Sequence, residues 1–286
     1  RLRQPARRHR TGRGAGARPH DRGPGVAGVI PVRKRFGQHF LHDPAVLERI
    51  VQVIDPRPGD RLVEIGPGRG ALTERLLART EALDAVEIDR DLAGLLRERF
   101  PQRLTLHQAD ALKFDFAALA TARGGPLRVI GNLPYNISTP LLFHLLATIG
   151  HLTDLHVMLQ KEVVERMAAA PGTEHYGRLG VMLAPHVDVH WLFDVGPGAF
   201  QPPPRVWSAV ARLVVLPRPR FELPAAYARV VAAAFSQRRK TLRNSLRALL
   251  PAGAWEVAGV DPGARPEVLS PQQFAALAAL AQPGAL

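Results

Sequence analysis

At 286 residues, with 46% hydrophobic and 22% charged side chains, the chain is long enough for one large domain plus a smaller one, which excludes a single small module and a largely disordered protein. It has no cysteine, so disulfides, thiolate metal sites and cysteine nucleophiles are excluded, and with no apolar run long enough to span a bilayer and no secretory signal the expected setting is cytoplasmic, without a membrane partner. The formal charge of +13 points to a polyanionic partner, although residues 1–35 carry +10 of it: eleven cations, Arg33, Lys34 and Arg35 among them, stand there against Asp21 alone.

Residues 1–30, rich in Gly, Pro and Arg and without hydrophobic periodicity, read as a disordered basic tail, either a non-specific RNA-gripping arm or a dispensable extension. A helix is expected over residues 44–54, with Asp43 as N-cap and Pro44 at the first helical position. Next come a strand at Arg61–Ile65, a glycine cluster and a helix at Ala71–Thr80. The alternation continues with strands at Asp84–Ile88, Leu104–His107, Leu127–Ile130 and Leu155–Leu159, and helices at Asp91–Phe100, Pro140–Thr148 and Lys161–Ala169. Such alternation predicts a doubly wound, Rossmann-like parallel sheet with helices on both faces, and places ligands beyond the carboxyl ends of the strands. From residue 216 only helices are expected, at Ala225–Phe235, Lys240–Leu250 and Pro271–Ala281, so residues 31–215 form an α/β domain and 216–286 a small all-helical one.

The glycine cluster puts Gly66, Gly68 and Gly70 at alternate positions between a strand and a helix. Glycine permits close approach of backbone to a ligand, and the helix N-terminus favours an anionic group. Glu87, about 20 residues on at the end of the next strand, can accept hydrogen bonds from both hydroxyls of a ribose. Because the spacing is G-x-G-x-G and no second nucleotide-binding half is visible, the cofactor expected is S-adenosyl-L-methionine, with Asp110 accepting from the amine of its adenine.

The strand at Leu127–Ile130 runs into Gly131-Asn132-Leu133-Pro134-Tyr135-Asn136. Asn-Leu-Pro-Tyr at this point resembles the motif of methyltransferases that modify the exocyclic amine of adenine. That amine is a weak nucleophile, its lone pair being delocalised into the ring. The amide oxygen of Asn132 and the carbonyl of Leu133 can accept its hydrogens and localise the pair, while Tyr135, held beyond Pro134, stacks on the extracted base.

Over roughly residues 33–280 the chain resembles the ribosomal RNA adenine dimethyltransferases of the KsgA/RsmA type. The matching segments are RKRFGQHFL from Arg33 to Leu41, Glu64 to Gly70, GNLPYNISTP from Gly131 to Pro140, Leu159 to Val163, Tyr176 to Leu179, Phe200 to Val210 and QRRKTLRNSL from Gln237 to Leu246. The resemblance implies dimethylation of two adjacent adenines in the 3′-terminal hairpin of small-subunit (16S) ribosomal RNA, on the immature small subunit, by a monomer. Carried over by position, the cofactor contacts fall on His39, Leu41, Gly66, Glu87, Asp110 and Asn132, although position 39 is more often Asn in the family. Phe200 is expected to face Tyr135 across the target base. Arg205 and Trp207 stand where the family more often has Lys and Asp. The cluster Arg238, Arg239, Lys240 and Arg243, opening a helix, is expected to contact phosphate. No metal is expected, since the histidines lack ligand spacing.

Two alternatives share the fold: a large-subunit ribosomal RNA adenine methyltransferase of the macrolide-resistance type, and a non-catalytic RNA-binding assembly or transcription factor that has lost the site. GNLPYNISTP and QRRKTLRNSL lean to the small-subunit reading, and the presence of Glu87, Asp110, Asn132 and Tyr135 together argues for catalysis.

Overall fold

The computed structural model describes residues 38–282 except Arg238. The basic tail of residues 1–30, the stretch Arg33–Gly37 of the motif ending at Leu41, and Arg238 therefore lie outside the described residues. In chain order the elements are β1 (Phe40–Leu41), α1 (Pro44–Ile54), β2 (Leu62–Ile65), α2 (Ala71–Leu77), β3 (Leu83–Glu87), α3 (Arg90–Arg99), β4 (Leu104–Gln108), α4 (Phe116–Ala122), β5 (Leu127–Asn132), α5 (Ser138–Ala147), β6 (Leu152–Gln160), α6 (Lys161–Ala168), α7 (Arg178–Leu183), β7 (Val187–Val195), β8 (Phe200–Gln201), β9 (Ser208–Val215), α8 (Tyr227–Ala234), α9 (Leu242–Leu246), α10 (Ala254–Ala258) and α11 (Pro271–Ala279).

Seven strands form one sheet in the order β4-β3-β2-β5-β6-β9-β7, and β1 pairs with β8 in a separate two-stranded ribbon. The strands from β4 to β6 in that order are mutually parallel, as expected. The sheet as a whole is not: β9 inserts antiparallel between β6 and β7. The alternating pattern could not reveal this, because β9 is an internal strand whose first half is buried on both faces, and its sequence is a near-continuous apolar run without period-two polarity. A register shift between Trp191 and Phe193 breaks the alternation of β7 as well.

Alternating strand residues feed two cores. Val63, Ile65, Val129 and Val157 point to the face covered by α4, α5, α6 and α7. Leu62, Ile130, Met158 and Val210 point to the face covered by α1 and α2. The N-cap of α1 is Asp43, whose carboxylate accepts from the backbone amides of Ala45 and Val46 at 2.8 and 3.1 Å.

The helical segment after β9 packs its own apolar faces together, with Tyr227, Val230, Leu242, Leu246 and Phe274 at the centre. It is joined to α7 and to the segment just before it by hydroxyls: Tyr227 donates to Val181 O at 2.9 Å and Tyr176 donates to Leu269 O at 2.6 Å. Two expectations here are corrected. The helix expected at Lys240–Leu250 is the short α9, and it begins after Thr241, so Arg239 and Lys240 stand in the preceding turn and only Arg243 lies on the helix. A separate short helix, α10, follows it.

Candidate active site

Where β2 has β3 on one side and β5 on the other, the strand order reverses, and the loops leaving their carboxyl ends diverge around a cavity of about 320 Å³. Gly66 and Gly68 turn the chain out of β2 with φ of 67° and 57°, a backbone conformation that side-chain-bearing residues rarely adopt. The Gly68 amide donates to Glu87 Oε2 at 3.3 Å, and the Asp89 amide donates to Glu87 Oε1 at 2.8 Å. Burial raises the pKa of Glu87, and those two amides pull against that rise.

Glu64, on β2, lines the same cavity and is buried, with one oxygen accepting from Thr73 Oγ1 at 2.6 Å. Burial pushes its pKa up to about 7; the Thr73 hydroxyl opposes the shift and the charge of Glu87 adds to it. Sequence reading had not given Glu64 a role. The signal was available, since an acid in the middle of an otherwise apolar strand is an anomaly.

Asn132 ends β5. Its Nδ2 donates to the main-chain oxygen of His39 at 2.9 Å, which fixes the amide plane and leaves Oδ1 as an acceptor. Gly131 makes this position accessible: a Cβ there would lie 2.5 Å from the Ile65 carbonyl oxygen, so β5 approaches β2 at a distance only glycine allows. The Leu133 amide is held by Met158 O at 3.0 Å. Tyr135 is fixed at both ends, its hydroxyl sharing a hydrogen bond with Ser208 Oγ at 2.6 Å and its ring stacked on that of His39 at 5.4 Å and 26°. The His39 ring donates through Nδ1 to Pro202 O at 2.8 Å, so that side chain positions Tyr135 and the proline loop while its backbone positions Asn132.

The structure thus gathers His39, Leu41, Gly66, Gly68, Glu87, Asp110, Asn132, Leu133, Pro134 and Tyr135 around one cavity. Two expected residues are not among them. Gly70 does not line it: the space a Cβ would occupy there is taken by Leu96 and Phe100, at 2.8 and 3.0 Å, so this glycine serves the packing of α2 against α3. Phe200 does not line the cavity. It is 2% exposed, paired to Leu41 through the β1–β8 ribbon and packed in the core beneath α1. Arg239, Lys240 and Arg243 are exposed and belong to the helical segment, not to the cavity lining. Lining residues to which sequence reading gave no role include Phe40, inside the segment Arg33 to Leu41, and Ile88, Leu112 and Met158, apolar groups that carry no motif of their own.

The chemistry of this lining fits S-adenosyl-L-methionine. Three carboxylates, Glu64, Glu87 and Asp110, offer acceptors for hydroxyls and amines, and Phe40, Ile88 and Leu112 offer the apolar cover that a purine needs. Asp110 is itself oriented, accepting from the Leu112 amide at 3.0 Å. Among the described residues no group of His, Cys, Asp and Glu is arranged to hold a metal ion.

Comparison with known proteins agrees with this geometry. A small-subunit ribosomal RNA methyltransferase A of Pseudomonas fluorescens is 56% identical over 251 residues, covering 86% of this chain and 92% of that protein. The protein of the same name from Acinetobacter baylyi is 55% identical over 253 residues, covering 86% and 90%. Among solved structures, the 23S rRNA methyltransferase ErmE is similar at a TM-score of 0.63 and 28% identity, covering 84% of this chain and 98% of that one. A dimethyladenosine transferase from Plasmodium falciparum shares the fold at a TM-score of 0.69 and 22% identity, covering 85% and 99%. The model of the family described as ribosomal RNA adenine dimethylase matches residues 30–282, and the chain belongs to that family.

Proposed function

We propose that the chain uses S-adenosyl-L-methionine to dimethylate the N6 amines of two adjacent adenines in the 3′-terminal hairpin of small-subunit ribosomal RNA, acting as a monomer on the immature subunit in the cytoplasm. The cofactor, when bound, supplies an electrophilic methyl group. The carrying observation is the commitment of Asn132 Nδ2 to His39 O, which leaves Oδ1 free to accept from an incoming amine at the cavity rim. Accepting that hydrogen, with the Leu133 carbonyl taking the other, returns lone-pair density to the nitrogen as it attacks. Tyr135, clamped by Ser208 and His39, offers a ring of fixed orientation against which an unstacked purine can lie. Glu87 and Asp110 hold the nucleoside of the cofactor.

In this reading residues 31–215 are the methyltransferase domain and 216–286 an RNA-binding helical domain. Arg239, Lys240 and Arg243 contact phosphate: all three are exposed and, among the described residues, none is in an ion pair. No helix among the described residues is long and apolar enough to cross a membrane.

The test is methyl transfer from labelled cofactor to purified immature small and large subunits, with Asn132→Ala beside the parent. Label at two adjacent small-subunit adenines, abolished in Asn132→Ala while RNA binding persists, is the expected outcome. Label in the large subunit alone would assign the chain to the other ribosomal substrate, and unchanged turnover in Asn132→Ala would remove that residue from the mechanism.

A further inference from the structure

Two of the three tryptophans of the chain stand exposed, on neighbouring parts of one sheet margin. Trp207, just before β9, is 56% exposed, and Trp191, on the edge strand β7, is 38% exposed; the third, Trp255, packs against the helical core. A large aromatic surface left in water contributes nothing to the core, and Val206 beside it is exposed as well.

The backbone at Trp207 and the ring of Trp191 are each tied to neighbouring residues. A Cβ built on Gly196 would lie 3.6 Å from the ring of Trp207, in ordinary contact, so this indole lies over the Gly196 position on β7's end of the sheet margin. Trp191 donates through Nε1 to Asp194 Oδ1 at 2.9 Å, which fixes its plane. Lys161 connects the two: its amide donates to Trp207 O at 2.9 Å, its Nζ lies 5.2 Å from the centre of the Trp191 ring, and the same Nζ bonds Asp194 at 2.7 Å. Arg205, two residues before Trp207, is exposed and, among the described residues, in no ion pair.

The patch opens on the same rim as the cavity. Ser208, the residue after Trp207, pairs with Gln160 at the carboxyl end of β6 and holds the Tyr135 hydroxyl. Exposed indoles next to Lys and Arg are the chemistry that binds single-stranded nucleic acid, since every base has a face to stack and every nucleotide a phosphate to neutralise.

We propose that Trp207, supported by Trp191, Lys161 and Arg205, forms a stacking platform for an unpaired base of the substrate RNA next to the target adenine. The platform rests on the RNA-methylation reading above. It supplies affinity for the RNA without touching the reacting atoms.

The experiment is steady-state methylation of immature small subunits by the full chain and by Trp207→Ala, Trp207→Phe and Trp191→Ala. Loss of one stacked base should raise KM for the subunit roughly tenfold in Trp207→Ala, with kcat and the KM for S-adenosyl-L-methionine unchanged. Trp207→Phe should restore most of the loss and Trp191→Ala should show a smaller one. A Trp207→Ala enzyme indistinguishable from the parent overturns the platform. So does a variant that binds protein-free ribosomal RNA normally but the assembled particle weakly, which would assign the patch to a ribosomal protein. The two readings fail separately: a parent that labels no small subunit removes the methylation reading and the platform with it, whereas an active parent matched by Trp207→Ala removes the platform alone.

Discussion

Arg128 and Asp154 stand opposite each other on β5 and β6, with guanidinium Nε and Nη2 2.9 and 3.1 Å from the two carboxylate oxygens. The guanidinium also donates to Asp60 at 2.6 Å and to Ile54 O at 2.7 Å, so it ties two strands to the end of α1. Burial works to raise the pKa of Asp154, but the hydrogen bond and charge of Arg128, with His156 and Arg212 adding to them, prevail and hold it below the usual carboxylate range. With side chains 12% and 2% exposed, removing Arg128 leaves the buried Asp154 carboxylate with the half-exposed Arg212, at 3.1 Å, as its remaining guanidinium partner. Arg128→Met should therefore cost about 3–5 kcal/mol in urea-induced unfolding, and adding Asp154→Leu should recover much of that. A single-variant loss no larger than that of an exposed ion pair would contradict the assignment.

Glu64 and His156 give opposite pH dependences over nearly one range. The Glu64 pKa is raised by burial to about 7, so its stabilising contribution is complete below the ordinary carboxylate value and is lost as pH rises towards 7. Burial lowers the pKa of His156 to about 4, so its contribution is complete above the ordinary imidazole value and is lost as pH falls towards 4. Each shift corresponds to roughly 3 kcal/mol, and in the parent protein the two largely offset one another. Thermal melts of Glu64→Gln should show stability rising from pH 4.5 to 7, and melts of His156→Leu should show it falling. Flat curves in both variants would refute the pairing.

How much of this was legible in the sequence differs by residue. The bounds of α1 were readable because Asp43 and Pro44 are local signals, and the strand-end acids Glu87 and Asp110 were readable from spacing. The separate duties of the three loop glycines were not: Gly66 and Gly68 face the cavity and Gly70 faces α3, a distinction made by Leu96 and Phe100, over 20 residues away. The burial of Phe200 was not legible for a similar reason, since it follows from β8 pairing with β1, a contact spanning most of the chain. In β9 burial on both faces erased the period that marks a strand.

Gly131→Ala should damage the site more than the fold. The added methyl would sit 2.5 Å from backbone, which cannot rotate away, so β5 must shift at the residue before Asn132. Displacing a positioned group by about 1 Å costs on the order of 100-fold in turnover. Single-turnover kinetics with calorimetry of cofactor binding would check this, and parent-like rates would show that the strand yields without moving Asn132.

Neutralising two exposed cations, one in the turn before α9 and one on that helix, should weaken RNA binding without altering chemistry. Lys240→Gln with Arg243→Gln should lower affinity for ribosomal RNA uniformly across sequences and reduce the slope of log affinity against log salt by about 1 to 2. Filter binding at several salt concentrations reads it, and an unchanged slope would remove these two cations from the phosphate contacts.

The hydroxyls of Tyr176 and Tyr227, each spent on a carbonyl across the junction between the sheet-bearing part and the terminal helices, work as a pair of rivets. Swinging one half against the other would tear both from their acceptors and bare the apolar surface beneath. The two hydroxyls thereby resist separation of the terminal helices from the sheet-bearing part.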